Sequence, residues 1–303
     1  MRLAIWLKAI RAPFFTATII PVILGSIFAW HATDDFLWFK FWLALVGAVL
    51  IHTGTNLAND YFDHISGCDE ANQTPTPFSG GSRMIQEGII PPKHILIVSV
   101  TSFLIGGAIG LYLNHISKGN VILLIGAIGI FLGVFYTAKP FRIGYGTFGE
   151  LAVGIGFGPL VVLGAYYVQA QELSVNAFLI SLPIGILIAL VLYINEFPDY
   201  NADKSVGKNT LVVFLGKRKA VALYHILLGS VYALIVGLII FKILPLTCFI
   251  ALLTLPLGLK AFLVSKGNFD KVYEMLPANA ATIALHSLIG VLLCVGIVLD
   301  KIL

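Results

Sequence analysis

The chain has 303 residues, of which 58% are hydrophobic and only 11% charged, with a mean hydropathy of +0.95. A soluble domain covers its surface with about 25% charged residues, so this composition excludes a soluble globular protein and places the chain in a lipid bilayer. The net charge of +4 calls for no nucleic acid, and Cys68, Cys248 and Cys294 have neither paired nor metal-site spacing.

Residues 2–10 read as a short amphipathic helix on the membrane surface. No small-residue cleavage site follows a short apolar core there, which argues against a removed signal peptide. A membrane span needs about 20 apolar residues. The apolar runs predict nine spans, at 13–31, 41–63, 93–114, 119–137, 147–169, 174–197, 219–241, 244–265 and 277–299. The expected fold is all-α, with nine transmembrane helices around a central cavity in one domain covering 1–303. Pro21, Gly25, Pro159 and Pro183 fall inside spans, as packed transmembrane helices tolerate.

Basic residues set the orientation. With a cytoplasmic N-terminus, only Lys40, Lys118, Lys242 and Lys301 of the 19 lysines and arginines face the other side. That arrangement also brings the loops after the second, fourth and sixth spans to one cytoplasmic mouth of a multi-pass protein in the cell membrane.

Two acidic stretches end apolar runs at that mouth. NLANDYFD occupies 56–63 and NEFPDYNAD occupies 195–203. On a helix Asn56, Asp60 and Asp63 form one stripe, with Asn59 beside it, and Asn195, Asp199 and Asp203 form another, with Glu196 one residue off. Pro198 is expected to bend or end the sixth helix. So many carboxylates at one mouth repel each other unless a cation joins them. Mg²⁺ takes oxygen ligands, keeps several waters and bridges to phosphates, so the stripes point to Mg²⁺ and a polyphosphate. The bland reading, acids solvated at helix ends, suits one isolated Asp better than two matched stripes. Asp69, in the loop after the first stripe, is a further candidate ligand.

Lys139 and Arg142, in YTAKPFRIGYG, are candidate phosphate partners, although ordinary positive-inside anchoring explains most basic residues. Arg83 follows Gly80-Gly81 in a loop placed to fold over the mouth and clamp phosphate oxygens. Glu150 is read as a buried polar contact, and His64 as a weak signal.

The pattern from Asn56 to Asp69, NxxNDYFDxxxGxD, resembles the first aspartate-rich motif of the UbiA superfamily of intramembrane prenyltransferases. Asp199-x-x-x-Asp203 is similar to the second motif, and Arg11, Pro13, Pro21, Gly25, the YTAKP segment and GKNTLVVFLGKR extend the resemblance over nearly the whole chain. The spacing from Asp63 through Gly67 to Asp69 resembles the menaquinone branch. The resemblance implies two Mg²⁺ ions held by Asn56 or Asn59, Asp60, Asp63, Asp199 and Asp203, with Asp69 close by. It implies a prenyl diphosphate donor such as geranylgeranyl diphosphate and an aromatic acceptor, 1,4-dihydroxy-2-naphthoate, whose carboxylate leaves as CO₂. Lys139, with Arg83 and Arg142, would bind the diphosphate. Tyr136, Tyr145, Tyr193 and Phe135 are candidates to face an allylic cation, with Tyr136 foremost. The alternatives are the same chemistry on 4-hydroxybenzoate or geranylgeranylglyceryl phosphate and, from another class, a cation-coupled transporter.

Overall fold

The computed structural model describes residues 2–72 and 75–303, and those residues contain helices and turns with no strand beyond an isolated Thr76–Ser79 bridge. The interfacial helix α1 (Arg2–Ala9) leads through a 3₁₀ turn, Ala12–Phe15, into α2 (Thr16–Thr33) and α3 (Trp38–Ser66). The short α4 (Cys68–Ala71) is followed by α5 (Pro92–His115) and α6 (Val121–Phe135). A π-turn at Gly156–Leu160 joins α7 (Gly149–Ile155) to α8 (Val161–Ala170), making one continuous span. Then come α9 (Val175–Ser205), the short α10 (Leu211–Leu215) and α11 (Lys217–Ile240). A 3₁₀ segment, Leu246–Thr254, leads into α12 (Leu255–Asn268), and α13 (Val272–Ile302) closes the chain.

Eight of the predicted spans appear as helices long and apolar enough to cross a bilayer. The span expected at 119–137 is the 15-residue α6, shorter than the sequence implied. The helix starts only after Gly119, which takes φ 59°, and gives way to a turn at Tyr136. The fold is that of a multi-pass membrane protein.

Packing places α9 at the centre, in contact with α7, α11 and α13, while α2 lies on α8 and α3 on α5. The main core runs along α9, from Ile180 and Ile184 through Leu187 to Tyr193 and Phe197, against Tyr224 and Val231 of α11 and Leu285 and Ile289 of α13. Between α2 and α8 the approach depends on Gly25. A Cβ there would lie 2.3 Å from the Val162 carbonyl oxygen and 3.0 Å from the Ala165 Cβ. Neither neighbour is a flexible side-chain end. Gly25→Val is therefore expected to cost about 1–3 kcal/mol or more by overpacking, read as a lower thermal midpoint in detergent. An unchanged midpoint would mean that α2 and α8 can separate freely.

Of the bend or end expected at Pro198, the end does not occur, because α9 continues to Ser205. Proline removes the N–H that would have bonded the Ile194 carbonyl four residues back. That carbonyl instead accepts a bond from Asn279 Nδ2 at 3.0 Å, and the same amide donates to Asn195 Oδ1 at 2.8 Å. With the freed oxygen satisfied by a neighbouring helix, the proline is tolerated. The second acidic stripe therefore stays helical throughout.

Candidate active site

The two stripes face each other across one mouth. Asp63 and Asp203 are 6% and 3% exposed, and both line the same cavity of about 1340 Å³. Asn56, Asn59, Asp69, Asn72, Asn195, Glu196 and Asp199 also line it. Deeper in the bilayer its walls turn apolar, formed by Ile51, Phe103, Ile125, Leu132, Phe157 and Val161 among others.

Local structure explains each placement. α3 runs unbroken to Ser66, so Asn56, Asp60 and Asp63 keep their shared face, and Gly67 ends it in the left-handed conformation, with φ 77°. Helix α4 then turns Asp69 back over the mouth. Burial, with Asp63 and Asp60 beside it, pushes the Asp69 carboxyl up to about 8. The loop 75–82 folds over the opening as expected. Asp199 accepts bonds from Asn72 Nδ2 at 2.9 Å, from the Ser79 side chain and from the Gly80 backbone N–H. Gly81 has φ 73°, and a Cβ there would meet Asp69 Oδ2 at 2.8 Å, so only glycine lets this loop lie against the carboxylate. Arg83 lines the cavity and donates to the Asp69 backbone carbonyl at 2.5 Å.

Two cations that the sequence does not single out as site candidates stand beside the carboxylates, and Tyr145 takes a different role from the one expected. Arg11 forms an ion pair with Asp60 and donates to Asn59 Oδ1 at 3.2 Å, while Asn56 Nδ2 bonds the neighbouring Ile10 carbonyl at 3.0 Å. Lys208 lies 3.4 Å from Asp203. Burial alone would lower the pKa of both cations. The surrounding carboxylates outweigh it, Asp60 first for Arg11 and Asp203 first for Lys208, and hold both charged. Tyr145 donates its hydroxyl to Asp63 Oδ1 at 2.8 Å.

Lys139 and Arg142, the expected phosphate partners, do not line the cavity. Lys139 is exposed and lies outside the cavity. Arg142 is also outside it, stacked over the Tyr145 ring at 4.8 Å. Lys208 and Arg11 do line it, each beside a carboxylate. Tyr136 lines the cavity, whereas Tyr193 is buried in the core with its hydroxyl on the Ala220 carbonyl, and Phe135 packs with Phe131 and Phe141. Glu150 is 5% exposed, within hydrogen-bonding reach of Glu196, and accepts the Leu211 N–H at 3.3 Å. His64 bonds Glu70 at 2.6 Å on the surface.

The donor set suits Mg²⁺. Asp60 Oδ2 and Asp203 Oδ2 are buried with no hydrogen-bond partner among the described residues, which is costly unless something else occupies them. Among the described residues no three Asp, Glu, His or Cys side chains converge to chelate an ion unaided.

The model of the UbiA prenyltransferase family matches residues 18–295. The chain is a UbiA-family prenyltransferase. Its relatives include the 1,4-dihydroxy-2-naphthoate octaprenyltransferase of Bacillus subtilis, 31% identical over 96% of this chain and 91% of its own length. The Mycobacterium tuberculosis enzyme of the same name is 34% identical over 84% of each. The prenyltransferase also shares its fold with a UbiA homologue from Archaeoglobus fulgidus solved with GPP and Mg²⁺. The TM-score is 0.72 at 14% identity, covering 99% of this chain and 100% of that one.

Proposed function

We propose that this prenyltransferase moves an isoprenyl chain from a prenyl diphosphate to 1,4-dihydroxy-2-naphthoate, in menaquinone biosynthesis. The observation that carries the reading is the pairing of two carboxylate stripes, on α3 and α9, at the head of a cavity whose deeper walls are apolar. A diphosphate suits the head and a prenyl chain suits the walls. The acceptor is taken from the relatives, whose resemblance spans most of both chains.

Asp60, Asp63, Asp199 and Asp203, with Asn56, Asn59 and Asp69 beside them, would hold two Mg²⁺ ions. Bound Mg²⁺ supplies Lewis-acid neutralisation of the diphosphate charge. Lys208, Arg83 and Arg11 contribute fixed positive charge against the diphosphate as its C–O bond breaks, in a site where few waters compete. Tyr136 stands at the cavity wall where an allylic cation would form. The apolar lining keeps water from quenching that cation. The naphthoate ring attacks it, and the carboxylate on the attacked carbon leaves as CO₂, its bonding electrons restoring the aromatic ring. The mouth is assigned to the cytoplasmic face of the cell membrane, because most of the basic residues gather there.

The test supplies purified protein in nanodiscs with Mg²⁺ and labelled geranylgeranyl diphosphate. Separate reactions offer the naphthoate, 4-hydroxybenzoate and geranylgeranylglyceryl phosphate. A labelled prenyl-naphthalene product that disappears with EDTA is the expected result. Transfer only to another acceptor would overturn the acceptor, and absence of Mg²⁺-dependent donor binding would overturn the reaction.

A further inference from the structure

His52 is a buried polar group that the reaction described above does not use. It continues the first acidic stripe inward, with Asn56 and Asp60 four and eight residues on, so it lies about 12 Å deeper than Asp60 along α3. Three elements fix its ring. Thr18 Oγ1 of α2 bonds Nδ1 at 2.7 Å. The Phe15 ring meets it edge-on with centroids 5.2 Å apart, and Phe157 of the π-turn does so from 4.7 Å. The side chain is 6% exposed, and that exposure opens on the cavity. Nδ1 is occupied by Thr18, and Nε2, which borders the cavity, bonds no protein group among the described residues.

The surroundings make that nitrogen informative. Below Asn56 the cavity wall is apolar apart from Thr18, His52 and Thr55. Thr18 is engaged with His52, and Thr55 Oγ1 donates to the Ile51 carbonyl at 2.9 Å. Among the described residues that line this part of the cavity, His52 Nε2 is thus the one side-chain polar atom left to meet a ligand. Facing hydrocarbon it would cost about 1–3 kcal/mol, and a prenyl tail offers it nothing. A hydroxyl both donates and accepts, so it satisfies Nε2 in either tautomer of the ring. The Phe157 ring, which also lines the cavity, suits an aromatic partner.

We propose that His52 determines acceptor specificity, its Nε2 hydrogen-bonding a ring hydroxyl of the aromatic acceptor while Thr18 and the two phenylalanines hold the imidazole in place. The inference rests on the proposed transfer to a hydroxylated aromatic ring and adds the residue that recognises it. His52 acts by positioning the acceptor, and no proton transfer is assigned to it.

The experiment compares wild type, His52→Leu, His52→Gln and Thr18→Val, using 1,4-dihydroxy-2-naphthoate and its two mono-methyl ethers. In wild type, methylating the recognised hydroxyl is expected to lower kcat/KM about tenfold, the worth of one hydrogen bond. In His52→Leu the acceptor KM rises by a similar factor and the preference for the free hydroxyl disappears. The donor KM and Mg²⁺-dependent donor binding stay at wild-type values. His52→Gln, which keeps a polar end, recovers part of the preference, and Thr18→Val weakens it. A purely structural histidine would instead lower thermal stability in both substitutions and leave the hydroxyl preference intact. That result, or a His52→Leu enzyme with unchanged acceptor KM and preference, overturns the proposal. A wild-type enzyme that binds donor yet prenylates no hydroxylated aromatic overturns the functional reading itself.

Discussion

Asp199→Asn is expected to lower kcat/KM for prenyl transfer on the order of 10³-fold while leaving the protein folded and inserted. The side chain sits among neutral donors, Asn72 Nδ2, the Ser79 hydroxyl and the Gly80 N–H. An asparagine oxygen keeps one or two of those bonds, so the loop over the mouth stays in place. What disappears is the negative charge at the head of the cavity. The same substitution at Asp60 is a poorer test, because it also strands Arg11, whose guanidinium pairs with that carboxylate in a buried setting. The measurement is labelled-donor transfer at saturating Mg²⁺, with the thermal midpoint in detergent as the folding control. A folded Asp199→Asn enzyme with activity within tenfold of wild type would remove this carboxylate from the site.

The second large effect separates two lysines. Lys208→Met is expected to lower kcat/KM by about 10²–10³ through loss of charge beside the departing diphosphate. Lys139→Met, on the surface and outside the cavity, is expected to change it by no more than about twofold, within the small effects of surface substitutions. Lys208 is also paired with Asp203, so its removal leaves a buried carboxylate uncompensated and lowers stability. Lys208→Arg keeps the charge and separates the two consequences, since it retains fold and part of the rate. Steady-state kinetics on the three variants decide the matter. Equal losses at Lys139 and Lys208 would mean that the mouth closes differently with substrate bound.

The reason Lys208 was hidden is geometric. Lys139 stands beside a proline and two aromatic residues, which in sequence looks like a constrained position. In space Phe141 is 58% exposed and the segment faces outward. Lys208 instead follows the end of α9, where Gly207 takes φ 74° and turns the chain back, so that the Lys208 N–H reaches the Asp203 carbonyl at 2.9 Å. A Gly-Lys pair just past an acidic helix end, here the start of GKNTLVVFLGKR, is a local signal for such a turn. Arg11 had no such signal, because its partner Asp60 is 49 residues away. The stripes themselves were legible because helical periodicity fixes which residues share a face. The fate of Pro198 was not, since it depends on Asn279 from a helix late in the chain.

The shortness of α6 carries its own consequence. Fifteen residues rise about 22 Å, less than the roughly 30 Å of a bilayer's hydrocarbon core. Phe131, Phe135 and Phe141 cluster where the helix ends, with centroids 4.9–5.3 Å apart, so aromatic side chains carry the apolar band beyond the last helical turn. Ile125, Ile130 and Leu132 of this same helix line the cavity. The wall of the cavity most subject to hydrophobic mismatch is therefore one against which the prenyl chain would lie, and acyl-chain length in the surrounding lipid bears directly on it.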